Sequence, residues 1–521
     1  NMAKKKKGLI EQLKALIGLE KEPELMGAMC YETHMPSFVT LKCEQCGMEK
    51  EYDEFLMTED EEIMATVEQI KALGYDAKVL RTCAGCANKM GFRYKDGTPL
   101  TDSVMYCIFY FKNKGQKEYH VTRSESPDDY KAVLAYLKNE DRFYDRNEAL
   151  HWVADNKEEI KLMTGITFLC VPLMSDFRTK PFPKAAVLEL TYRCNHRCKF
   201  CSCPWEAPGS TYPKGQELGI EEWKRCVDIL YDKGVVSFSI TGGEALLKEG
   251  FEEIIRYIRR EGDRRGLNHP IVLISNGLRM KEEYLKLFLD MNVHLSMSLP
   301  GYSTFQEHTG VDNADGVLYW FRKANEMGLS TTVNITVTRQ NYDELFETIS
   351  AGLINGASDV LLNRFLPGGR GLSYLPDLLL SPAQINGMLR TAEEVLSYAR
   401  RYAHLGTEIP YCAIQHPEKL ERVKVGYQCA AVKNFFVIDP SGQIRTCNHS
   451  PRVVGHIFQK PLITDTDYWN MFATADYKPE ACGGCKMVSL CDCGCREVAK
   501  ILHGNPKGVD TSAIQYSSKQ N

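Results

Sequence analysis

The 521-residue chain has no apolar run near the roughly 20 residues that a membrane-spanning helix needs, which argues against a helical span. It also lacks a charge of one sign. Its 64 Lys and Arg stand against 68 Asp and Glu, so net charge is only −4. No global field therefore points to nucleic acid or to an anionic membrane surface. The start, Met2 to Lys7, is basic, but Gly8-Leu-Ile-Glu-Gln-Leu-Lys follows, an amphipathic helical pattern with charges inside it. It lacks the apolar core of a signal peptide. These absences predict a cytoplasmic protein. A composition of 44% hydrophobic and 25% charged residues excludes a disordered or collagen-like chain. At roughly 150 residues per domain, about three domains are expected.

Cysteine is abundant instead: there are 20. A chain long enough to bury a large core, with no export signal, has little use for a disulfide framework, so closely spaced cysteines read as metal ligands. Three groups hold Cys43, Cys46, Cys83 and Cys86; Cys194, Cys198 and Cys201; and Cys429, Cys447, Cys482, Cys485, Cys491, Cys493 and Cys495. Cys30, Cys107, Cys170 and Cys226 read as buried apolar thiols.

Patterning divides the chain into three regions. Residues 1–180 predict an α+β domain, with helical segments near 58–73, 127–138 and 146–162 and a hairpin across Asn113-Lys-Gly. The stretch 178–184 reads as a linker, and Lys4 to Lys7 as a solvated tail. Residues 184–402 alternate short β-rich runs at 186–190, 235–240, 271–274, 293–299, 332–337 and 360–366 with helical patterns at 221–233, 251–260, 282–290, 315–327 and 343–355. Gly234, Gly328 and Gly356 stand where helix C-caps belong. Six strand–helix units imply a parallel sheet with right-handed crossovers, short of the eight that close a full barrel. The fold class is α/β, a partial (β/α)6 barrel; a flat doubly wound sheet is the alternative. Residues 403–521 have little periodicity and many cysteines, a segment that needs staples to fold.

Cys194-x3-Cys198-x2-Cys201 follows the first strand of the repeat, where parallel sheets place active sites. Three thiolates suit three irons of a four-iron cluster with the fourth iron open; zinc or buried thiols are the alternatives. The second strand ends in Thr241-Gly-Gly-Glu244. Its glycines permit close backbone approach to a ligand, and Glu244 can accept bonds from an ammonium. In the first region, Cys43-x2-Cys46 and Cys83-x2-Cys86 form two knuckles, a four-thiolate module within about residues 40–90 that suits closed tetrahedral zinc. An iron–sulfur cluster or a redox dithiol would use the same spacing.

Taken as a set, these motifs resemble the radical S-adenosylmethionine (SAM) superfamily over 184–371. The resemblance includes Phe200 before the third cysteine, Ile274-Ser-Asn-Gly277, Ser296-Met-Ser-Leu299 and Arg364-Phe-Leu-Pro-Gly-Gly-Arg-Gly371. It implies a [4Fe-4S] cluster on the catalytic Cys194, Cys198 and Cys201, with SAM on the fourth iron. Gly242, Gly243 and Glu244 would hold the SAM amino end, the Phe200 backbone would meet adenine, and Ser275, Ser298, Asn334 and Thr336 would contact ribose or carboxylate. A reduced flavodoxin or ferredoxin is the implied electron donor.

Residues 429–495 resemble the SPASM domain, an extension that carries auxiliary clusters. One or two auxiliary [4Fe-4S] clusters are implied, the first on Cys429, Cys447 and Cys495 and the second on Cys482, Cys485 and Cys491. A final cysteine normally follows this run, and none follows Cys495. Cys493, Asp492 or Asp510 are candidates for the missing ligand, and Cys412 for completing the first cluster. A structural zinc knot is the plainer alternative. Asp439 is the nearest carboxylate for a general base. His196 and Arg197, inside the cysteine loop, are expected to face solvent. The implied function is radical modification of a ribosomally made peptide or protein, a leader peptide among the candidate partners. A small-molecule dehydrogenase, a tetrapyrrole decarboxylase and an electron carrier are the alternatives.

Overall fold

The computed structural model describes residues 2–16, 38–53, 77–89, 105–113, 116–123, 182–485, 487–488, 491–510 and 512. The helices expected near 58–73, 127–138 and 146–162, residues 178–181 of the linker, Cys30 and Cys170 lie outside the described residues. Contacts divide the chain into two compact units, Asn1–Met35 with Pro183–Asn521, and Pro36–Phe182.

Helix α1 (Met2–Ala15) belongs to the larger unit. It buries Leu13 completely. Lys6 Nζ lies 3.0 Å from a Glu394 carboxylate oxygen and 4.5 Å from the centre of the Phe346 ring. Lys6 keeps 44% of its side chain exposed, and Lys5 and Lys7 are exposed.

The smaller unit contains two antiparallel sheets. β1 (Phe38–Lys42) pairs with β2 (Glu49–Asp53). β3 (Ala77–Cys83), followed by the short helix α2 (Ala84–Lys89), pairs with β4 (Met105–Asn113), which pairs in turn with β5 (Gln116–Arg123). Asn113 faces Gln116 at the end of that ladder, the register of the expected hairpin.

In the larger unit the expected alternation is present. The strands are β6 (Ala185–Glu189), β7 (Ser237–Thr241), β8 (Ile271–Ser275), β9 (Val293–Ser298), β10 (Thr331–Val337) and β11 (Asp359–Arg364). They are parallel and adjacent in chain order. β6 is buried along its whole length because both sheet faces are covered, which is why Ala185 to Leu188 read as an apolar run. The covering helices are α3 (Ile220–Asp232), α4 (Phe251–Arg264), α5 (Glu282–Asp290), α6 (Phe305–Thr309), α7 (Ala314–Glu326), α8 (Leu345–Ile354) and α9 (Pro382–Ala399). On α3, Trp223, Cys226, Val227, Leu230 and Tyr231 form the buried stripe at helical spacing. Gly234, Gly328 and Gly356 have φ of +85°, +79° and +102° just past α3, α7 and α8. A capping box starts α9: Gln384 N donates to Ser381 Oγ at 3.2 Å, and Ser381 N to Gln384 Oε1 at 3.0 Å.

The sheet does not end with these six strands. β12 (Ala403–Leu405) and β13 (Val423–Lys424) continue it in parallel beyond β11. On the other edge, β14 (Phe435–Ile438) pairs in parallel with β6, and β15 (Gln443–Arg445) and β16 (Val453–His456) follow antiparallel. The result is an open sheet of eleven strands. Bare edges would leave rows of unpaired backbone groups, and the C-terminal region covers both. Its strands are two to four residues long, too short to show a period in sequence. Two further helices, α10 (Thr466–Thr474) and α11 (Arg496–His503), complete the described elements used below. No described helix is long and apolar enough to cross a membrane.

Candidate functional site

The C-terminal ends of the parallel strands open into one cavity of about 300 Å³. Its wall includes the loop after β6, with Cys194, Cys198, Phe200 and Cys201, and the turn after β7, with Gly242, Gly243 and Glu244. Ser275, Ser298, Asn334 and Thr336 also line it, as do Cys429, Cys447 and Cys495 from the C-terminal region. Residues more than 300 positions apart thus share one chamber.

The two glycines serve the cysteine loop directly. A Cβ on Gly243 would lie 2.2 Å from the Arg193 carbonyl oxygen, and one on Gly242, at φ +150°, would lie 2.8 Å from the Thr191 oxygen. The loop is bonded at this place: Gly243 N donates to Thr191 O at 2.7 Å and Glu244 N to Arg193 O at 2.8 Å. Close approach here is between two backbones, which puts Cys194 next to the β7 turn.

Glu244 is only 2% exposed. Its carboxylate accepts from Ser275 Oγ at 2.8 Å, Asn276 N at 2.8 Å and Leu246 N at 3.2 Å. Burial raises its pKa against these bonds. Ser275 therefore positions Glu244. Asn276, not singled out from sequence despite standing in the Ile274-Ser-Asn-Gly277 run, bonds Asn195 Oδ1 at 2.7 Å and lies 3.9 Å from Cys194 Sγ. Asn334 Oδ1 accepts from Asn363 Nδ2 at 2.9 Å. The Phe200 ring meets His308 edge-on at 6.0 Å.

Burial raises the thiols of Cys194, to about 11, and Cys198, whereas contact with the Cys203 thiol lowers Cys201. Three thiols converging on a cavity beside a glycine turn fit a soft metal cluster, whose irons would keep them deprotonated. His196 lines the cavity at 4% exposure, and burial holds it down to about 4. The expectation that it faces solvent is corrected; Arg197, with 77% of its side chain exposed, does face it.

In the C-terminal region, burial raises Cys429, Cys447 (to about 12) and Cys495. The buried carboxylates of Glu408 and Glu497, both lining the cavity, bear on these thiols; neither has a sequence signal. Cys412 stands elsewhere. Burial raises it to about 11, and the thiols that act on it are those of Cys491, Cys482 and Cys485. Cys412 does not line the cavity that Cys429, Cys447 and Cys495 share. Asp439 is also corrected. It is fully buried outside the cavity wall, and its carboxylate accepts from Tyr192 Oη at 2.9 Å, Tyr212 Oη at 2.8 Å, Ser441 N at 2.9 Å and Gln443 N at 2.8 Å. That network pins a turn.

In the smaller unit, the sulfurs of Cys43, Cys46, Cys83 and Cys86 lie within 4.8 Å of one another. The Cys46–Cys83 separation is 3.8 Å, the edge expected of a tetrahedron with metal–sulfur bonds of about 2.3 Å. Cys86 N donates to Cys83 Sγ at 3.4 Å, and Gly47, at φ +74°, donates to Cys43 O at 2.9 Å. Burial opposes ionisation of Cys43, but hydrogen bonds from the backbones of Cys83, Cys46 and Gln45 bring it down to about 6.

Comparison with known proteins agrees with this geometry. Residues 188–351 match the radical SAM superfamily. The PqqA peptide cyclase of Rhodopseudomonas palustris is 26% identical over 347 residues, 63% of this chain and 86% of that protein. Streptococcus suis SuiB bound to the precursor peptide SuiA superposes with a TM-score of 0.52 at 16% identity, over 78% of this chain and 96% of that one. The anSMEcpe structure with bound AdoMet gives a TM-score of 0.50 at 16% identity, over 64% and 95%. The two structures share the fold.

Proposed function

We propose that this chain, whose residues 188–351 form a radical SAM domain, is an enzyme that modifies a ribosomally made peptide. The relatives named for peptide cyclisation or bound to a precursor peptide support the substrate class. In this reading, 184–402 is the catalytic barrel, 403–521 a SPASM-type auxiliary-cluster domain and 1–180 an N-terminal α+β domain whose Cys43, Cys46, Cys83 and Cys86 hold zinc.

The observation that carries the reading is the shared cavity. Cys194, Cys198 and Cys201 on one wall would hold the [4Fe-4S] cluster that binds SAM; Cys429, Cys447 and Cys495 on another would hold an auxiliary cluster. When bound, the cluster and SAM together supply the 5′-deoxyadenosyl radical that takes hydrogen from the substrate, with a flavodoxin or ferredoxin as electron source. The protein does the rest. Gly242 and Gly243 bring the β7 turn against the cysteine loop, and Ser275 and Asn276 orient the Glu244 carboxylate that would meet the SAM amino group. Phe200, Ser298, Asn334 and Thr336 line the space left for adenosine and substrate.

The test is anaerobic iron, sulfide and zinc analysis of the reconstituted chain beside Cys194→Ala/Cys198→Ala/Cys201→Ala, with deoxyadenosine measured in each. About twelve irons and one zinc are expected, falling to about eight irons with no deoxyadenosine. An iron content that does not change in the variant, or deoxyadenosine formed without the three cysteines, refutes the reading.

A further inference from the structure

No cysteine stands between Cys495 and Asn521, and three other candidate ligands for the C-terminal run lie nearby in sequence. The structure separates them. Asp510 is spent: its carboxylate takes both Arg364 guanidinium nitrogens, at 3.2 and 2.7 Å, with Cys495 N at 3.1 Å and Ser512 N at 3.0 Å. Asp492 is spent as well, on Cys429 N at 2.8 Å, Tyr477 Oη at 2.8 Å and Lys433 Nζ at 2.5 Å. Taking either carboxylate for a metal would strip buried cations and amides of their partner, a cost of several kcal/mol. Cys493 is turned back on Cys491. Its backbone is left-handed, at φ +64°, its N–H donates to Cys491 Sγ at 3.3 Å, its own sulfur lies 3.7 Å from Cys491 O, and its thiol also contacts that of Cys482, crowding two corners without reaching a third. Two thiols in mutual contact serve one corner of a cluster better than two.

Cys412 approaches from the other side. It sits in the short turn Tyr411–Ala413, and Tyr411 N donates to Cys491 Sγ at 3.5 Å. The turn is fixed from both flanks. Asn386 of α9, 4% exposed, donates to Ala413 O at 2.9 Å and accepts from Gln415 N at 2.7 Å. The Tyr411 ring packs edge-on against Tyr427 at 5.0 Å, and Tyr427 O accepts from Asp492 N at 2.8 Å. The thiols whose charge bears most on Cys412 are those of Cys491, Cys482 and Cys485.

We propose that Cys412, delivered by the Asn386-pinned turn, joins Cys482, Cys485 and Cys491 as the fourth thiolate of one iron–sulfur site. This rests on the auxiliary-cluster reading above. Cys412 stands 70 residues upstream of Cys482. Cys429, Cys447 and Cys495 then remain a three-thiolate set facing the cavity.

The test uses the full chain in the Cys194→Ala/Cys198→Ala/Cys201→Ala background, anaerobically reconstituted with iron and sulfide. Two derivatives are compared, one also lacking the Cys429, Cys447 and Cys495 thiols and one lacking the Cys482, Cys485 and Cys491 thiols. In the first, Cys412→Ser is expected to lower iron from about four to about three per chain and to introduce a three-iron electron paramagnetic resonance signal, while Cys493→Ser changes neither. In the second, Cys412→Ser is expected to change nothing. The proposal is overturned if Cys493→Ser rather than Cys412→Ser perturbs the first derivative, or if Cys412→Ser perturbs the second. A background chain that holds no iron before Cys412 is touched overturns the auxiliary-cluster reading itself, and the assignment with it.

A measurement without iron guards against misfolded variants. Mild oxidation of the otherwise unaltered, metal-free chain, followed by peptide mapping, should link Cys412 to Cys482, Cys485 or Cys491. Linkage to Cys429, Cys447 or Cys495, or a Cys412 that stays free when the others have oxidised, refutes the placement.

Discussion

The buried pair Glu189–Arg445 holds the C-terminal region to the first strand of the barrel, and its removal has a calculable cost. Arg445, at the end of β15, reaches across β14 to Glu189 at the end of β6. Arg445 is fully buried and Glu189 is 3% exposed. The guanidinium also donates to Asn448 O at 3.0 Å and Ser450 O at 2.9 Å, and Asn448 Nδ2 donates to Glu189 Oε1 at 3.1 Å. These bonds shape the loop that carries Cys447. Glu189→Ala would leave an unpaired charge in the interior, at about 3–5 kcal/mol. A domain's whole stability is about 5–15 kcal/mol, so this is a large share. Glu189→Gln also removes the counter-charge but keeps an acceptor for the guanidinium, about 1.5–3 kcal/mol of hydrogen bonding to a charged group, so it should cost less than Glu189→Ala. Urea unfolding of the two variants and the parent, read as a shift in midpoint at unchanged slope, measures both. Glu189→Ala should also lower the iron bound in the Cys194→Ala/Cys198→Ala/Cys201→Ala background, because the Cys447 loop loses its anchor. If Glu189→Ala lies within about 1 kcal/mol of the parent, or costs no more than Glu189→Gln, the pair is not the staple described here.

Two further predictions follow from the geometry. Gly243→Ala places a methyl 2.2 Å from Arg193 O, and that neighbour is backbone, so the cysteine loop must shift; about four irons should be lost on reconstitution while zinc is retained. Equal iron in variant and parent would show that the loop can give way. His294 is 4% exposed, bonds Thr332 Oγ1 at 2.7 Å, and is held by burial at about 4 instead of its ordinary 6.5. The unfolded chain binds this proton first. Stability from His294 is therefore complete above about pH 6.5 and is lost as pH falls toward 4, by about 3 kcal/mol. Urea midpoints of metal-free protein across that range should show a weaker pH slope in His294→Phe; an unchanged slope refutes the assignment.

Sequence alone determined a great deal, because some constraints are local. Buried parallel strands read as apolar runs, amphipathic helices repeat every three to four residues, and helix ends need glycine, so the alternation from Ala185 to Arg364 was legible. Metal ligands on one loop must be close in sequence, which exposed the Cys194 trio and the two knuckles of the smaller unit. What depends on distant chain segments was not legible. The strands β12 to β16 are too short to carry a period, and their positions follow from the open edges they cover. The Gly-Gly turn reads as ligand-facing, and only the structure shows that it also packs against the Arg193 carbonyl. Asp439 reads as a free carboxylate until two tyrosines and a turn claim its oxygens. Sequence offered Cys412 only for the first thiol set. Asn386 and Tyr427, whose contacts hold its turn beside Cys491, leave no trace in its neighbours along the chain.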